Sequence, residues 1–183
     1  MGNLDPDSRL GRIPEIKWLQ HTIVEKALTK GDYLLAGGSR SDFYIDKFRL
    51  FSDPEILRRI ARLFSPIVAD YRPDLIGGTE VGGAILATVV SQNTSIPMIV
   101  VRKTPKAYGA FADEYVEGPY REGQRVLLLE DVVSNGREVL ASKARLEELN
   151  LDVLIYAVVN RGFAPVKSLV QFALPRGEAK TEN

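Results

Sequence analysis

The stretch VLLLEDVVSNG, residues 126–136, decides how this 183-residue sequence is to be read. Val126 to Leu129 form the near-continuous apolar run of a parallel strand covered on both faces, and helical spacing resumes from Arg137 to Leu149. A strand, a tight turn and a helix in that order deliver Glu130 and Asp131 to a strand end, where open α/β sheets bind their ligands. Ser134, Asn135 and Gly136 make the turn, and its N–H groups and hydroxyl suit a phosphate. The two carboxylates repel such a phosphate unless they face another part of the ligand, so sugar hydroxyls or Mg²⁺ are the targets they fit. An acidic strand end followed by an ordinary helix cap accounts for the same residues without a ligand.

Outward from this stretch the pattern repeats. Short apolar runs at Leu75-Ile76, Ile96 to Val101 and Val153 to Val159 alternate with a helical segment at Gly82 to Val90, which predicts a doubly wound α/β core. Upstream, Pro14 opens a helix carrying Ile16, Leu19, Ile23 and Ala27, with Lys30-Gly31 expected to stop it. Asp53 is placed to cap a second helix whose apolar face is Ile56, Ile60, Leu63 and Ile67, with Arg58, Arg59 and Arg62 on its solvated side. Residues 31–50, between those helices, read as a hairpin or irregular cover, with extended segments around Phe43, Ile45 and then Phe48, Leu50.

Composition narrows the chemistry. Lys plus Arg and Asp plus Glu are 24 each, so the formal charge is zero and the bulk argument for a nucleic-acid or anionic-membrane partner is missing. No Cys and one His exclude disulfides, thiolate nucleophiles and Zn–Cys sites, and leave little for a His-based triad. The 45% hydrophobic fraction is that of a globular protein, and the length suits a single domain over 1–183, with residues 1–12 a loose arm and 176–183 a polar tail. Acidic residues and prolines precede any apolar run, so neither a secretory signal nor a membrane span is expected, and the cytoplasm is the expected location.

Three further segments carry candidate site residues. LIGGTEVGGA, residues 75–84, is a second glycine-rich strand-to-helix turn in which Thr79 and the N–H groups near Gly82 can meet a pyrophosphate; it matches neither the Walker A nor the GxGxxG spacing, and an ordinary tight turn is the alternative. RKTPKAYG, residues 102–109, gathers Arg102, Lys103 and Lys106 in a loop that can neutralise a departing pyrophosphate, or can simply be a solvated basic surface. Arg161, after an apolar run, offers a planar fork that pairs with a carboxylate or stacks on a conjugated base. Ser39 and Tyr44 are plausible pocket residues whose turn context also explains them structurally.

Taken in order, GGSRSDFYIDK, LIGGTEVGG, VRKTPKAYG, YVEG, LLLEDVVSNG and VNRG resemble the type I phosphoribosyltransferases, and within them the orotate-using members, over roughly Gly31 to Gly162. That resemblance implies a central, mainly parallel sheet with helices on both faces and a small N-terminal hood at about residues 31–50. It implies transfer of the phosphoribosyl group of 5-phosphoribosyl 1-diphosphate to orotate. Another base, or a catalytically weak nucleotide-binding or regulatory homologue, are the alternative readings. Glu130 and Asp131 are then expected on the ribose hydroxyls, Ser134, Asn135 and Gly136 on the 5-phosphate, and the loop containing Thr79 and Gly82 on the pyrophosphate. Lys103, Lys106 and Asp131 are the expected catalytic residues, with Arg102 on the same mobile loop, which in relatives is shared across a homodimer. Arg161, Ser39 and Tyr44 are expected at orotate, and Mg²⁺ is expected on substrate oxygens rather than on direct protein ligands. The chain departs from the family pattern at Ala36 (often Lys), Tyr108 (His), Asn160 (Asp) and the phosphate loop, which reads Ser134-Asn135-Gly136-Arg137-Glu138 where relatives have two threonines and two glycines.

Overall fold

The computed structural model describes residues 14–35, 38, 40–108, 114–162 and 164–172. The expected arm at 1–12 and tail at 176–183 lie outside them. Helix α1 (Pro14–Thr22) buries Ile16 and Leu19 and runs into a π-helical turn, Ile23–Ala27. It ends at Ala27, before the expected stop at Lys30-Gly31, because Leu28 to Lys30 pair with Phe43 to Ile45 and belong to strand β1 (Leu28–Leu34). Strand β2 (Arg40–Ile45) closes the antiparallel hairpin. The sequence suggested extension around Phe48 and Leu50; the chain instead makes a short helix α2 (Phe48–Phe51), turned by Asp46, whose Oδ1 accepts from the Phe48 N–H.

Asp53 caps helix α3 (Pro54–Leu63), its Oδ1 accepting from the N–H groups of Glu55 and Ile56 at 3.0 and 3.2 Å. The apolar face predicted through Ile67 is broken at Phe64: Pro66 has no N–H to continue the helix, and Ile67 lies on a separate helix α4 (Ser65–Tyr71). Phe64 is fully buried and meets Tyr156 edge to face at 6.0 Å. Arg58 and Arg59 pair with Glu55 and Glu15, as a solvated helix face does.

The remaining strands are β3 (Leu75–Thr79), β4 (Met98–Val101), β5 (Val116–Glu117), β6 (Arg125–Val133), β7 (Asp152–Asn160) and β8 (Lys167–Gln171). They form one sheet in the order β5-β4-β3-β6-β7-β8, parallel except for β5 at the edge. Helix α5 (Gly82–Thr94) carries the chain from β3 to β4 in one direction, and α6 (Arg137–Glu148) carries it from β6 to β7 in the other. The two crossovers diverge between β3 and β6, and that boundary is the crevice where such sheets place ligands. Side-chain alternation splits the core: Ile76, Leu127 and Leu129 pack with α1, α3 and α5 on one face. Leu75, Val126 and Leu128 pack with Val139 and Leu146 of α6 on the other. Helices therefore cover both faces, and the β1–β2 hairpin forms a hood over the carboxyl ends of the strands. Among the described residues no helix is long and apolar enough to cross a membrane.

Candidate active site

A cleft of about 350 Å³ opens between the hood and the carboxyl ends of β3 and β6, a volume within the range that holds small organic ligands. At its floor Thr79, 3% exposed, donates from Oγ1 to Glu130 Oε2 at 2.6 Å, bridging the strands where the sheet order reverses. Glu130 Oε1 accepts from the Asp131 N–H at 3.1 Å, so both of its oxygens are engaged by the protein. Burial first, and the neighbouring Asp131 charge second, push the Glu130 carboxyl up to about 7.

Asp131 is different. It is 4% exposed, and its Oδ2 is the one buried side-chain oxygen or nitrogen among the described residues that lacks an aligned hydrogen bond. Lys47 Nζ lies 2.5 Å from this oxygen as an ion pair, outside hydrogen-bonding alignment. Gly82 opens α5 directly behind the carboxylate, where a Cβ would stand 1.7 Å from Oδ2, so only glycine lets Asp131 take this position.

The expected phosphate turn follows β6. Ser134, Asn135 and Gly136 all line the cleft, and Gly136, at φ +76°, is the left-handed residue that swings the chain into α6. Asn135 Oδ1 accepts from the Arg137 N–H at 3.0 Å and occupies one of the free amides of that helix end. Glu138, in the first turn of α6, also lines the cleft. It pairs with Lys103 at 2.5 Å, and this contact keeps the Lys103 ammonium protonated to higher pH than usual.

Lys103 is thus brought into the cleft, whereas its two companions are not. Arg102 reaches Glu80, at the cleft edge, at 3.6 Å and Glu117 at 3.5 Å, and Lys106 reaches Glu117 at 3.3 Å, so neither lines the cleft itself and both lean toward β5. Thr79 and Gly82 support the floor from beneath. A second cavity of about 280 Å³, lined by Thr79, Lys103, Glu138, Ser142 and Arg145 among others, adjoins it on the α6 side.

Arg161 spans cleft and hood. Its Nη2 donates to Ser41 Oγ at 2.5 Å and to the Phe43 carbonyl at 3.0 Å, and its guanidinium lies 3.9 Å over the Phe43 ring. Burial lowers its pKa from the ordinary arginine value. Tyr44 lines the cleft with its ring 5.6 Å from Tyr33. Ser39 lies outside the described residues. Charged lining residues that sequence reading missed are Glu80 and Lys47, and the signal for Lys47 was slight: a cation closing DFYIDK, just where the hairpin returns to the core.

Comparison with known proteins agrees with this geometry. The phosphoribosyl transferase domain profile matches residues 49–167. The orotate phosphoribosyltransferase of Thermococcus gammatolerans is 37% identical over 135 residues, 73% of this chain and 70% of that protein. The chain belongs to the orotate phosphoribosyltransferase family. The Pyrococcus furiosus member is 35% identical over 140 residues, covering 75% of this chain and 76% of its own. The solved orotate phosphoribosyltransferase of Mycobacterium tuberculosis, crystallised with Fe(III) dicitrate, superposes with a TM-score of 0.71 at 26% identity, over 87% of this chain and 98% of that one.

Within an orotate phosphoribosyltransferase-family fold, the departures have local explanations. Asn160 is 2% exposed; its amide donates to the Ala164 carbonyl at 3.0 Å while its Oδ1 accepts from the Gly162 N–H at 3.1 Å. An aspartate there would face the first of these carbonyls with no donor. Tyr108 is 73% exposed, with Lys106 Nζ 5.5 Å over its ring. Ala36 lies outside the described residues.

Proposed function

We propose that this chain transfers the 5-phosphoribosyl group from 5-phosphoribosyl 1-diphosphate to orotate, giving orotidine 5′-monophosphate and diphosphate. The observation that carries the reading is the union, in one cleft, of the Asp131 carboxylate, whose Oδ2 is paired with Lys47 but makes no aligned hydrogen bond, with the amide-rich turn Ser134–Gly136. A ribose 5-phosphate spans these two features: hydroxyls donate to Asp131, and the phosphate meets the turn. With the sugar so held, the base lies beneath the hood, where Arg161 answers the orotate carboxylate and the Tyr44 ring, which lines the cleft, covers its plane.

The reaction is a displacement at the anomeric carbon. An orotate ring nitrogen forms the new bond as the bond to diphosphate breaks, and both electrons of that bond leave with the diphosphate. The protein contributes orientation and charge. Asp131 lies near the sugar as positive charge grows at the anomeric centre, and Lys103 neutralises the departing diphosphate once it exchanges Glu138 for substrate oxygens. Glu130, with its oxygens engaged, fixes the floor and the Asp131 backbone. Mg²⁺, a hard cation, would be carried mainly by the diphosphate and ribose oxygens of the substrate. Bound there, Mg²⁺ offsets the diphosphate charge.

Lys106 is paired with Glu117 outside its own cleft, which favours a homodimer in which this part of the loop serves the partner while Lys103 stays with its own cleft. The cytoplasm is the compartment assigned. The deciding assay supplies Mg²⁺, orotate and the phosphoribosyl donor; orotidylate and diphosphate should appear in equal amounts, and no product at saturating substrates would refute the reading. Glu138 beside the phosphate turn favours one rival, a cleft that binds nucleotide with little turnover. Calorimetric binding without product identifies it, and a panel of bases read by product mass identifies a different acceptor.

A further inference from the structure

Lys47 belongs to none of the loops assigned above. It leads into α2 at the foot of the hood, and its backbone is fixed on both sides. The Asp46 N–H donates to the Ala27 carbonyl at 2.9 Å, and Asp46 Oδ1 accepts from the Phe48 N–H at 3.1 Å. From this anchored turn its side chain enters the cleft and places Nζ 2.5 Å from Asp131 Oδ2. No other ion pair to Asp131 occurs among the described residues. Lys103 is taken by Glu138, and Arg161 by Ser41 and Phe43. Behind the carboxylate the α5 backbone at Gly82 leaves no space for another group.

The electrostatic setting needs this cation. Glu130 and Asp131 are consecutive carboxylates on one strand, and both are largely withdrawn from water, where two unpaired charges so close are strongly disfavoured. Lys47 selects between them: it faces Asp131, while Glu130 is satisfied by Thr79 and a backbone amide.

We propose that Lys47 is a positioning residue for the transfer reaction, a hood-borne counter-ion that holds the Asp131 carboxylate in place for the ribose hydroxyls and so couples closure of the hood to sugar binding. The ion pair is unaligned as a hydrogen bond, so Oδ2 keeps an unused lone pair, and because that oxygen is shut off from solvent here a ribose hydroxyl reaches it only as the ammonium shifts to its side. A lysine on the hood therefore serves a carboxylate on the sheet. This inference rests on the role given to Asp131 under the proposed function.

The test compares wild type with Lys47→Met, Lys47→Arg, Asp131→Asn and the double variant Lys47→Met/Asp131→Asn. It measures calorimetric binding of 5-phosphoribosyl 1-diphosphate with Mg²⁺, steady-state kinetics and melting temperature. Loss of one charge-assisted contact should raise both Kd and KM for that substrate about tenfold in Lys47→Met, with kcat changed less than about threefold. Lys47→Arg should restore most of the affinity, and in the Asp131→Asn background Lys47→Met should add nothing further. Wild-type Kd and KM in Lys47→Met overturn the proposal, as do strictly additive losses in the double variant or a loss that only follows melting temperature. Absence of binding by the wild type instead refutes the underlying assignment of the cleft and takes this proposal with it.

Discussion

Glu138 shows how one side chain can set the balance between an empty and a filled site. It stands beside the phosphate turn and holds Lys103 at 2.5 Å, so substrate must both approach a carboxylate and draw the lysine away. Glu138→Gln removes the repulsion and frees the cation. It should lower KM for 5-phosphoribosyl 1-diphosphate severalfold, and an unchanged or raised KM in steady-state kinetics would show that the carboxylate assists binding. Glu130 predicts a pH effect of definite sign. Its carboxyl is raised from 4.5 to about 7 in the fold, so the folded state favours the proton. The stability tied to that proton is complete below about 4.5 and is lost as pH rises through about 7, at most about 3 kcal/mol for a shift of this size. Denaturant unfolding at pH 5 and pH 8 should show the decline in wild type and a flatter profile in Glu130→Gln; parallel profiles would assign the effect to other groups.

Among the elements, the turn between β6 and α6 is the most exacting. Gly136 has φ +76°, and a Cβ there would stand 2.9 Å from the Ala164 Cβ. Gly136→Ala should destabilise the fold by about 1–2 kcal/mol from the left-handed backbone alone and weaken phosphate binding more than orotate binding; equal losses for the two ligands would argue against a phosphate cradle. This turn was legible in sequence because Ser-Asn-Gly punctuates a long apolar strand. The inner strands β3, β4, β6 and β7 were legible for a related reason, since burial on both faces leaves a continuous run of Val, Ile and Leu. The sheet edges were not. β5 is two residues held by pairing Val116 with Val101, and β8 acquires its strand geometry from β7, so neither has a local pattern long enough to read. The same limit hid Lys47: its partner Asp131 is distant in sequence, and only the folded hairpin brings them together. Arg102, Lys103 and Lys106 were legible as a basic loop, but not which of them faces the cleft, because the choice depends on Glu117 and Glu138 from other elements.

At the scale of the whole molecule, the pairing of Lys106 outside its own cleft gives the shared-loop dimer a quantitative consequence. Asp131→Asn keeps an intact loop beside a damaged cleft, and Lys106→Ala keeps an intact cleft beside a damaged loop. If the loop acts on the partner, an equal mixture allowed to exchange subunits should regain about a quarter of wild-type activity, since half of the dimers are mixed and each has one complete site. A mixture no more active than the average of its parents would place loop and cleft in the same subunit.

The Arg161 contacts with the hairpin also bear on the order in which the molecule is assembled. They join residues 120 and 118 positions apart, Ser41 and Phe43. While the chain is being synthesised, the hairpin emerges early and can pack on α1 and α2, but its contacts across the cleft wait until β7 and the residue after it have been laid down. The cleft-facing side of the hood is thus the last part to settle and, joined to the sheet there by a few polar contacts although Phe43 and Ile45 are anchored in the core, the first to lift. Amide exchange in residues 40–45 should accordingly outpace that of β6 and β7, and the lifting that relieves those contacts is also the movement that admits and releases substrate.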